Sequence, residues 1–199
     1  MNFAVLASGN GSNLQAIMEA VKKGKIKGCL QLVVSDNADA YALTRAEKAG
    51  IASVVIDPKA YSSREAFDEA VIKVLKKDNV QLVVLAGFMR ILSPLFIKAF
   101  PNRIINVHPA LLPAFKGAHA IQDALEYGVQ VTGVTVHFVD EQMDHGTIIA
   151  QEAVAVDPRD SIDALAQRIH KVEHELYPKV IDLIVRNKLK IAGRKVKLI

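Results

Sequence analysis

The residues of this chain best suited to chemistry are an amide and an imidazole two positions apart, Asn106 and His108. They stand in the apolar segment RIINVH, which predicts a β-strand, and Pro109 and Pro113 stiffen the loop that follows. Alternate side chains of a strand point the same way, so the two polar groups project side by side. A hydrogen-bond donor beside a titratable group on rigid backbone suits acyl-transfer chemistry. A strand end with two solvated polar residues is the simpler alternative.

The imidazole of His108 needs a partner if it is to act as an acid. A histidine titrates at about pH 6.5 by default, and a neighbouring carboxylate lets it hold a proton at neutral pH. Asp144 is our candidate, in the loop of residues 140–146. That loop also contains Asp140 and Glu141, and acidic residues in loops are usually solvated. Sequence spacing therefore leaves the contact between Asp144 and His108 open.

A glycine loop, SGNGSN at residues 8–13, joins the first apolar run to a predicted helix. Glycines let the backbone turn tightly and free N–H groups at a helix start bind anions, so Gly11, Ser12 and Asn13 predict a phosphate site. A dinucleotide-binding loop would need a third small residue where Leu14 stands, which favours a monophosphate over NAD. Asp36, after the second apolar run, keeps the NAD interpretation open, and a tight turn without a ligand is the third alternative.

Other titratable residues indicate a functional site less clearly. His137 alternates with apolar residues on a predicted strand, which is typical of a core histidine. His170 and His174 are four apart on a predicted helix, a spacing that can bind a metal, but no third ligand stands at a suitable spacing and we predict no metal site. Glu173 lies on the same helix, where a solvated side chain is the default interpretation.

The elements that position these residues alternate regularly in the first half of the chain. Continuous Val, Leu and Ile runs indicate strands covered on both faces, as in a parallel sheet. Ser62 with Glu65 three residues later predicts a capping box at one helix start. The predicted strands are 3–7, 29–35, 52–56, 81–86 and 103–107, with helices over 12–23 and 39–49 and from Ser62 and Ser93. This pattern predicts an α/β fold with a doubly wound, mostly parallel sheet, Rossmann-like in its N-terminal half.

The second half changes character. Residues 130–139 and 146–156 predict an antiparallel strand pair, and a long helix follows from about Ser161, with Pro178 bending it. In the tail, residues 188–197, basic and apolar residues alternate, which predicts an edge hairpin with a solvated charged face. A nucleic-acid-binding arm is the alternative for the tail.

Composition narrows the class of protein. The chain has 199 residues, 51% of them hydrophobic, which suffices for one sizeable core. Aromatic residues make up 6% and Trp is absent, so we expect no nucleic-acid partner. The single Cys29 fits a reducing compartment. With no signal peptide and no run of ~18 apolar residues, we predict a cytoplasmic protein without a membrane segment. The net charge of +4 fits an enzyme that acts on anionic metabolites.

Three candidate segments fall at one edge of the predicted sheet. Ligands of open α/β sheets bind at the carboxyl ends of the strands. Residues 9–13 follow the first strand, residues 87–90 follow the fourth, and Asn106 with His108 ends the fifth. Independent signals that meet at one edge strengthen each other.

Four motifs carry a family resemblance when they are taken together. They are SGNGSNL at 8–14, AGFMRIL at 86–92, NVHP at 106–109 with LLP at 111–113, and Asp144 with Gly146. Together they resemble the phosphoribosylglycinamide formyltransferases, a family of folate-dependent enzymes of purine biosynthesis. The resemblance runs from Met1 to about Lys188. It implies formyl transfer from the co-substrate 10-formyltetrahydrofolate to the amine of glycinamide ribonucleotide, through a tetrahedral intermediate and without a metal.

The resemblance also implies residue roles. By similarity, Asn106 and protonated His108 stabilise the oxyanion, His108 donates a proton, and Asp144 keeps His108 protonated. The residues implied for ribonucleotide binding are Gly11, Ser12, Asn13, His170, Lys171, Val172 and Glu173. Those implied for folate binding are Arg64, Met89, Arg90, Ile91, Leu92, Asn106, Asp140, Glu141, Gln142, Met143 and Asp144.

The chain departs from the family pattern at three positions. Ala110 stands for a usual serine, Lys116 for a frequent proline and His145 for a frequent glycine. The last two bear on loop geometry and folate affinity rather than on the reaction. We expect one formyltransferase domain over 1–199, with a phosphate-binding half (1–100) and a catalytic and folate-binding half (101–199), acting as a monomer or homodimer.

Related enzymes with other activities would have further domains. Methionyl-tRNA formyltransferase would add a C-terminal domain for which we expect no room in 199 residues, and formyltetrahydrofolate hydrolase would add an N-terminal regulatory domain ahead of the first strand. Outside this class, an NAD-dependent oxidoreductase and a catalytically silent nucleotide-binding module are the alternatives.

Overall fold

Nine β-strands, six α-helices and a short 3-10 helix follow one another along the chain, and the computed structural model describes residues 1–199. The strands are β1 (Asn2–Leu6), β2 (Cys29–Ser35), β3 (Ser53–Val55), β4 (Leu82–Leu85), β5 (Ile104–His108), β6 (Val131–Phe138), β7 (Ile148–Ala155), β8 (Leu189–Ala192) and β9 (Lys195–Leu198). The helices are α1 (Ser12–Lys22), α2 (Tyr41–Lys48), α3 (Arg64–Lys77), α4 (Pro94–Ala99), α5 (Ala120–Tyr127) and α6 (Ile162–Val185), and the 3-10 helix is Pro58–Ala60.

Seven strands form one sheet in the order β3-β2-β1-β4-β5-β6-β7. Strands β1 to β5 are parallel, while β6 is antiparallel to β5 and β7 is antiparallel to β6. The strand order reverses between β1 and β4, so the chain leaves these two neighbours toward opposite faces and opens a crevice at their carboxyl ends. The predicted doubly wound, mostly parallel sheet with an antiparallel pair is confirmed.

Two hydrophobic clusters cover the two faces of this sheet. In β1, Phe3 and Val5 join the cluster that contains α1 and α6, whereas Ala4 and Leu6 join the one that contains α3 and α4. All four side chains are fully buried, which explains the uninterrupted apolar run in the sequence. Leu14 of α1 is also fully buried, so its bulk fills the space between helix and sheet that a dinucleotide fold keeps small.

Serine caps begin three of the helices, α3, α4 and α6, with one correction to the predicted positions. The start of α6 is confirmed, because the Ser161 hydroxyl accepts a backbone amide three residues further on. The capping box predicted for Ser62 and Glu65 is wrong. The N-cap of α3 is Ser63, whose hydroxyl accepts the amide of Ala66 at 3.1 Å. This places Glu65 at the second helical position instead of the third, where a capping box requires it.

Two other predicted elements are shorter than expected. Helix α2 begins at Tyr41 instead of residue 39, because the side chain of Asn37 accepts the amide of Asp39 and forms a turn in place of a helical start. Strand β3 pairs with β2 only over Ser53–Val55. Pro178 lies inside α6, which continues to Val185.

The basic tail forms the predicted hairpin from β8 and β9. Ile191 and Val196 pack against the larger core cluster, while Lys190 and Lys195 are exposed, as the alternation predicts. The hairpin is a separate two-stranded sheet and does not extend an edge of the main sheet, which corrects the expected edge position. None of the helices combines the length and the apolar character that a bilayer crossing requires.

Candidate active site

One face of the β5–β6 pair is polar while the other belongs to the core. Asn106 lies opposite His137 in the strand register, and His108 lies opposite Thr135. Side chains between them, such as Val107, belong to the larger core cluster. Four polar side chains therefore share one face at the carboxyl end of β5.

The carboxylate of Asp144 reaches the imidazole of His108. Its Oδ2 lies 3.5 Å from Nδ1 of His108 and accepts the amide of Gly117 at 2.8 Å. The other nitrogen of the His108 ring, Nε2, donates to the carbonyl oxygen of Phe115 at 2.7 Å. Both ring nitrogens thus face oxygen acceptors, the arrangement in which a protonated ring donates on both sides. The contact that sequence spacing left open is present.

The exit loop after His108 is fixed by the neighbouring strands. The Thr135 hydroxyl of β6 donates to the carbonyl of Ala110 at 2.7 Å and accepts the amide of Leu112 at 3.0 Å. From β7, the Gln151 amide donates to Leu112 and to Thr135, each at 2.9 Å. The bond from Leu112 to Pro113 is cis. The four hydrogen bonds of Thr135 and Gln151 hold the turn that brings the Phe115 carbonyl back to His108.

His137 belongs to this site, although its position on the strand predicts only a core histidine. The ring is 2% exposed, and its Nδ1 donates to the carbonyl of Phe138 at 2.9 Å. Its Nε2 faces the Asn106 amide nitrogen at 3.4 Å and the Asp144 carboxylate at 3.7 Å. Burial is the largest influence on the pKa of His137 and holds it below the usual value of a histidine.

A neutral His137 has a consequence for the neighbouring amide. Because the ring is uncharged, its 3.7 Å contact with Asp144 is not an ion pair. Its Nε2 instead accepts one N–H of Asn106, which leaves the second N–H and the carbonyl oxygen of that amide for a ligand. The signal in the sequence is Thr135 with His137, a polar pair at the same two-residue spacing as Asn106 with His108.

A cavity of about 290 Å³ opens beside these side chains. It is lined by Asn106, His108 and His137 and by two segments, residues 87–92 and 140–144. Every residue implied for folate binding therefore lines it, with one exception. Arg64 lies outside the lining, at the start of α3, where it pairs with Glu65 at 3.4 Å. Three apolar side chains of the lining are largely exposed: Met89, Ile91 and Met143.

The segment of residues 87–92 is held at both ends. The amide of Ser93 donates to the buried carboxylate of Asp68 at 2.6 Å, and the Arg90 guanidinium stacks 4.8 Å over the ring of Phe67. At its other end the segment joins the glycine loop, because the Ser8 hydroxyl accepts the amide of Met89 at 2.9 Å. A hydrogen bond thus joins the glycine loop directly to the segment of residues 87–92 across the crevice.

The glycine loop is fixed against α2. Gly11 has φ +73°, a left-handed conformation, and a Cβ there would lie 2.8 Å from the Cβ of Ala42. Arg45 of α2 donates to the carbonyl of Asn10 at 2.9 Å and to its side-chain oxygen at 3.1 Å. No side chain caps α1, so the first amides of that helix are open to an anion.

Helix α6 completes this second site. Asn13 and His170 both donate to the same oxygen of Glu173, at 2.8 and 2.9 Å. Glu173 is 3% exposed, so the default interpretation of a solvated residue is wrong. The hydrogen bond to Glu173 raises the pKa of His170. Lys171 is exposed and Val172 packs against the core, so neither side chain joins this cluster. The structure has no group of three or more His, Cys, Asp or Glu side chains arranged to hold a metal ion.

Known proteins are similar to this chain in sequence and in fold. A family model described as formyl transferase matches residues 1–181. The phosphoribosylglycinamide formyltransferase of Bacillus subtilis (strain 168) is 46% identical over 179 residues, covering 90% of this chain and 92% of that protein. The enzyme of that name from Escherichia coli (strain K12) is 46% identical over 191 residues, covering 96% and 90%. The crystal structure of glycinamide ribonucleotide transformylase 1 from Symbiobacterium toebii has a TM-score of 0.98 at 48% identity, covering 100% of this chain and 94% of that one. This chain belongs to the formyl transferase family.

Proposed function

We propose that this protein is a phosphoribosylglycinamide formyltransferase, which transfers the formyl group of 10-formyltetrahydrofolate to the amine of glycinamide ribonucleotide in purine biosynthesis. The observation that carries the proposal is the placement of Asn106 and His108 together in one cavity, with Asp144 3.5 Å from His108. The family and the relatives named above support the reaction. A cytoplasmic location belongs to the proposal and is supported by the single cysteine.

The reaction needs a stabilised oxyanion and one proton transfer. The amine nitrogen bonds to the formyl carbon, the bond from that carbon to N10 of the folate breaks, and one proton passes from the amine to N10. Negative charge develops on the formyl oxygen in between. Asn106 donates its free N–H to this oxygen. With Nδ1 of His108 facing Asp144, its Nε2–H must leave the Phe115 carbonyl to donate to the substrate and supply the proton for N10. Each such group typically contributes ~10²- to 10³-fold in rate.

The neighbours of these two residues hold them ready for this task. Asp144 faces His108 and stabilises positive charge on the imidazole, while its bond from Gly117 fixes the carboxylate. Neutral His137 takes one N–H of Asn106 and so fixes the plane of the amide. An amide or imidazole held in place by such bonds loses little free energy to reorganisation during the reaction.

The ribonucleotide binds on the side of the glycine loop. In our proposal the first amides of α1, at Gly11, Ser12 and Asn13, bind its phosphate. Glu173, held by Asn13 and His170, contacts the rest of the molecule from α6. The bond between Ser8 and Met89 keeps this side at a fixed distance from the folate side.

The cavity fits one end of the folate. Its volume of about 290 Å³ lies at the small end of sites that enclose drug-sized ligands. We therefore expect it to enclose the heterocycle, with the remainder of the co-substrate along the exposed side chains of Met89 and Ile91. Arg64 and Arg90 are proposed for the negatively charged end, although only Arg90 lines the cavity.

The experiment that tests this function measures formyl transfer from 10-formyltetrahydrofolate with and without glycinamide ribonucleotide. We expect transfer that depends strictly on the ribonucleotide and falls at least about a thousandfold in His108→Gln. Equal release of formate without the ribonucleotide would make the protein a hydrolase. Quenching of nicotinamide fluorescence on titration, without formyl transfer, would favour the oxidoreductase.

A further inference from the structure

We infer that Arg194, in the C-terminal hairpin, is a positioning residue that holds the loop of residues 140–146 in its ligand-binding shape. The hairpin lies outside the segments that carry the family motifs, and Arg194 touches neither the cavity nor His108. Its effect passes through His145. The inference rests on the proposed function in one respect, the assignment of this loop to the folate side.

Three consecutive hydrogen bonds carry the inference. The Nη2 of Arg194 donates to the carbonyl oxygen of His145 at 2.7 Å, and its Nη1 lies 3.4 Å from Nε2 of the same residue. The Nδ1 of His145 donates to Oδ2 of Asp140 at 2.7 Å. A histidine with its proton on Nδ1 accepts from the arginine and donates to the carboxylate, so the directions of all three bonds agree.

The bond between His145 and Asp140 closes the loop across its base. Residues 140–144 line the cavity, and Asp144, which faces His108, stands directly before His145. Within the loop, the only other side-chain bond is local, from the Gln142 amide to Asp140 at 3.0 Å. Asp144 also ties the loop to the amide of Gly117 at 2.8 Å, so His145 supplies the closure at the base of the loop, and the orientation of His145 depends on Arg194.

The hairpin that carries Arg194 is anchored to the rest of the fold. It follows α6 directly, with the amide of Lys188 donating to Leu183 at 2.8 Å and that of Ile199 donating to Lys188 at 2.9 Å. Ile191 and Val196 anchor its inner face on the core. A guanidinium on anchored backbone loses less side-chain freedom on bonding than one on a mobile tail, which favours a lasting contact.

The test compares Arg194→Ala with Lys195→Ala, a neighbouring variant that also removes one positive charge from the exposed side of the hairpin. Hydrogen exchange followed by mass spectrometry reports on the loop without any ligand. Calorimetric titration with tetrahydrofolate gives Kd without turnover, and steady-state kinetics gives KM for each substrate. Arg194→Lys, which retains the charge and one donor for the His145 carbonyl, is the conservative variant.

We expect Arg194→Ala to speed amide exchange in residues 140–146 and to raise Kd for tetrahydrofolate about fivefold to tenfold, less than the usual effect of one charge-assisted hydrogen bond because the bond is exposed and acts through His145. The KM for the ribonucleotide should stay within about twofold, and Arg194→Lys should recover part of the loss. His145→Ala should have the same effect, and the double variant should be no worse than either single one, because the two residues act in series.

Other results would overturn the inference. If Arg194→Ala and Lys195→Ala have the same loop exchange and the same Kd, Arg194 has no positioning role. If Arg194→Ala raises both substrate constants together and lowers the melting temperature, its role is general stability. A wild type that binds tetrahydrofolate but transfers no formyl group would overturn the proposed function alone, since loop exchange and Kd still decide the role of Arg194.

Discussion

The loop of residues 8–13 and the loop of residues 140–146 flank the same crevice, yet they are held in different ways. The first presents backbone amides to the crevice, with Gly11 in a left-handed conformation pressed against Ala42 and α1 beginning at Ser12, while Arg45 of α2 bonds to Asn10. The second is fixed by side chains from distant parts of the chain, with Asp144 facing His108 and Arg194 bonded to the backbone between β6 and β7.

This difference agrees with the tasks that we propose for the two loops. A phosphate keeps its charge throughout the reaction, so helix amides, which do not titrate, can bind it at every step. A proton transfer needs groups that change charge, and each of those groups needs neighbours that favour the required form. Backbone geometry suffices for the first task, whereas the second requires a cluster of titratable side chains.

Among changes within the two loops, the largest expected effect comes from removing the charge of Asp144. Asp144→Asn should lower kcat at least about a hundredfold, because the His108 imidazolium loses its facing carboxylate. The measurement is steady-state formyl transfer with both substrates saturating. Asp163→Asn, which neutralises an exposed carboxylate at the start of α6, is the matched control and should keep wild-type rates. Activity of Asp144→Asn within tenfold of wild type would remove Asp144 from the mechanism.

The second prediction concerns the backbone of the glycine loop. Gly11→Ala places a Cβ at φ +73° and 2.8 Å from Ala42, so the loop must shift. We expect KM for the ribonucleotide to rise about tenfold or more with KM for folate within about twofold, since we propose that the loop binds the phosphate. The matched control is Gly50→Ala, which has φ +67° but open space around its Cβ. It should lose only about 1 kcal/mol of stability and change neither KM. Equal kinetic effects of the two variants would contradict the explanation that the close contact of Gly11 with Ala42 shapes the glycine loop.

The third prediction uses the buried histidine of the catalytic side. Burial lowers the pKa of His137, so the unfolded chain binds a proton more readily than the folded one and stability falls as pH drops through about 6.5. The difference in free energy of unfolding between wild type and His137→Gln should be largest at pH 8 and shrink by about 1 kcal/mol toward pH 5. Urea unfolding at both pH values measures it. A difference that does not change with pH would mean that folding leaves the pKa of His137 unchanged, and one that grows toward pH 5 would mean that the folded protein favours the charged ring.

The smallest expected effect has the opposite sign and lies on the phosphate side. The bond to Glu173 raises the pKa of His170, so the pair stabilises the fold fully below about pH 6.5 and loses this contribution as pH rises through the raised value. His170→Gln should therefore lower the melting temperature more at pH 6 than at pH 9. The side chain of His170 is 47% exposed, so we expect only a few tenths of a kcal/mol. A larger effect at pH 9 would mean that Glu173 does not raise the pKa of His170.

The two loops also differ in how far their sequence predicts them. The glycine loop could be predicted because a strand, two glycines and a helix start follow one another within a few residues. The sequence also indicates Asn106 and His108, since their spacing puts them on one strand face. His137 could not be assigned with the same force, because its role depends on which strand pairs with β5. The shift from Ser62 to Ser63 at the start of α3 shows that adjacent serines compete for one cap.

What the sequence by itself determined is therefore local and periodic: the strands, the helices, their alternation along the chain, and the polar residues that end the strands. These follow from side-chain periodicity and turn chemistry, which act over a few residues. Only the tertiary structure decided that Asp144 meets His108, that Glu173 is buried beside Asn13, and that Arg194 bonds to the loop after Asp144. Such contacts join residues 36 to 160 positions apart, and their distances depend on how the chain packs as a whole rather than on any local pattern.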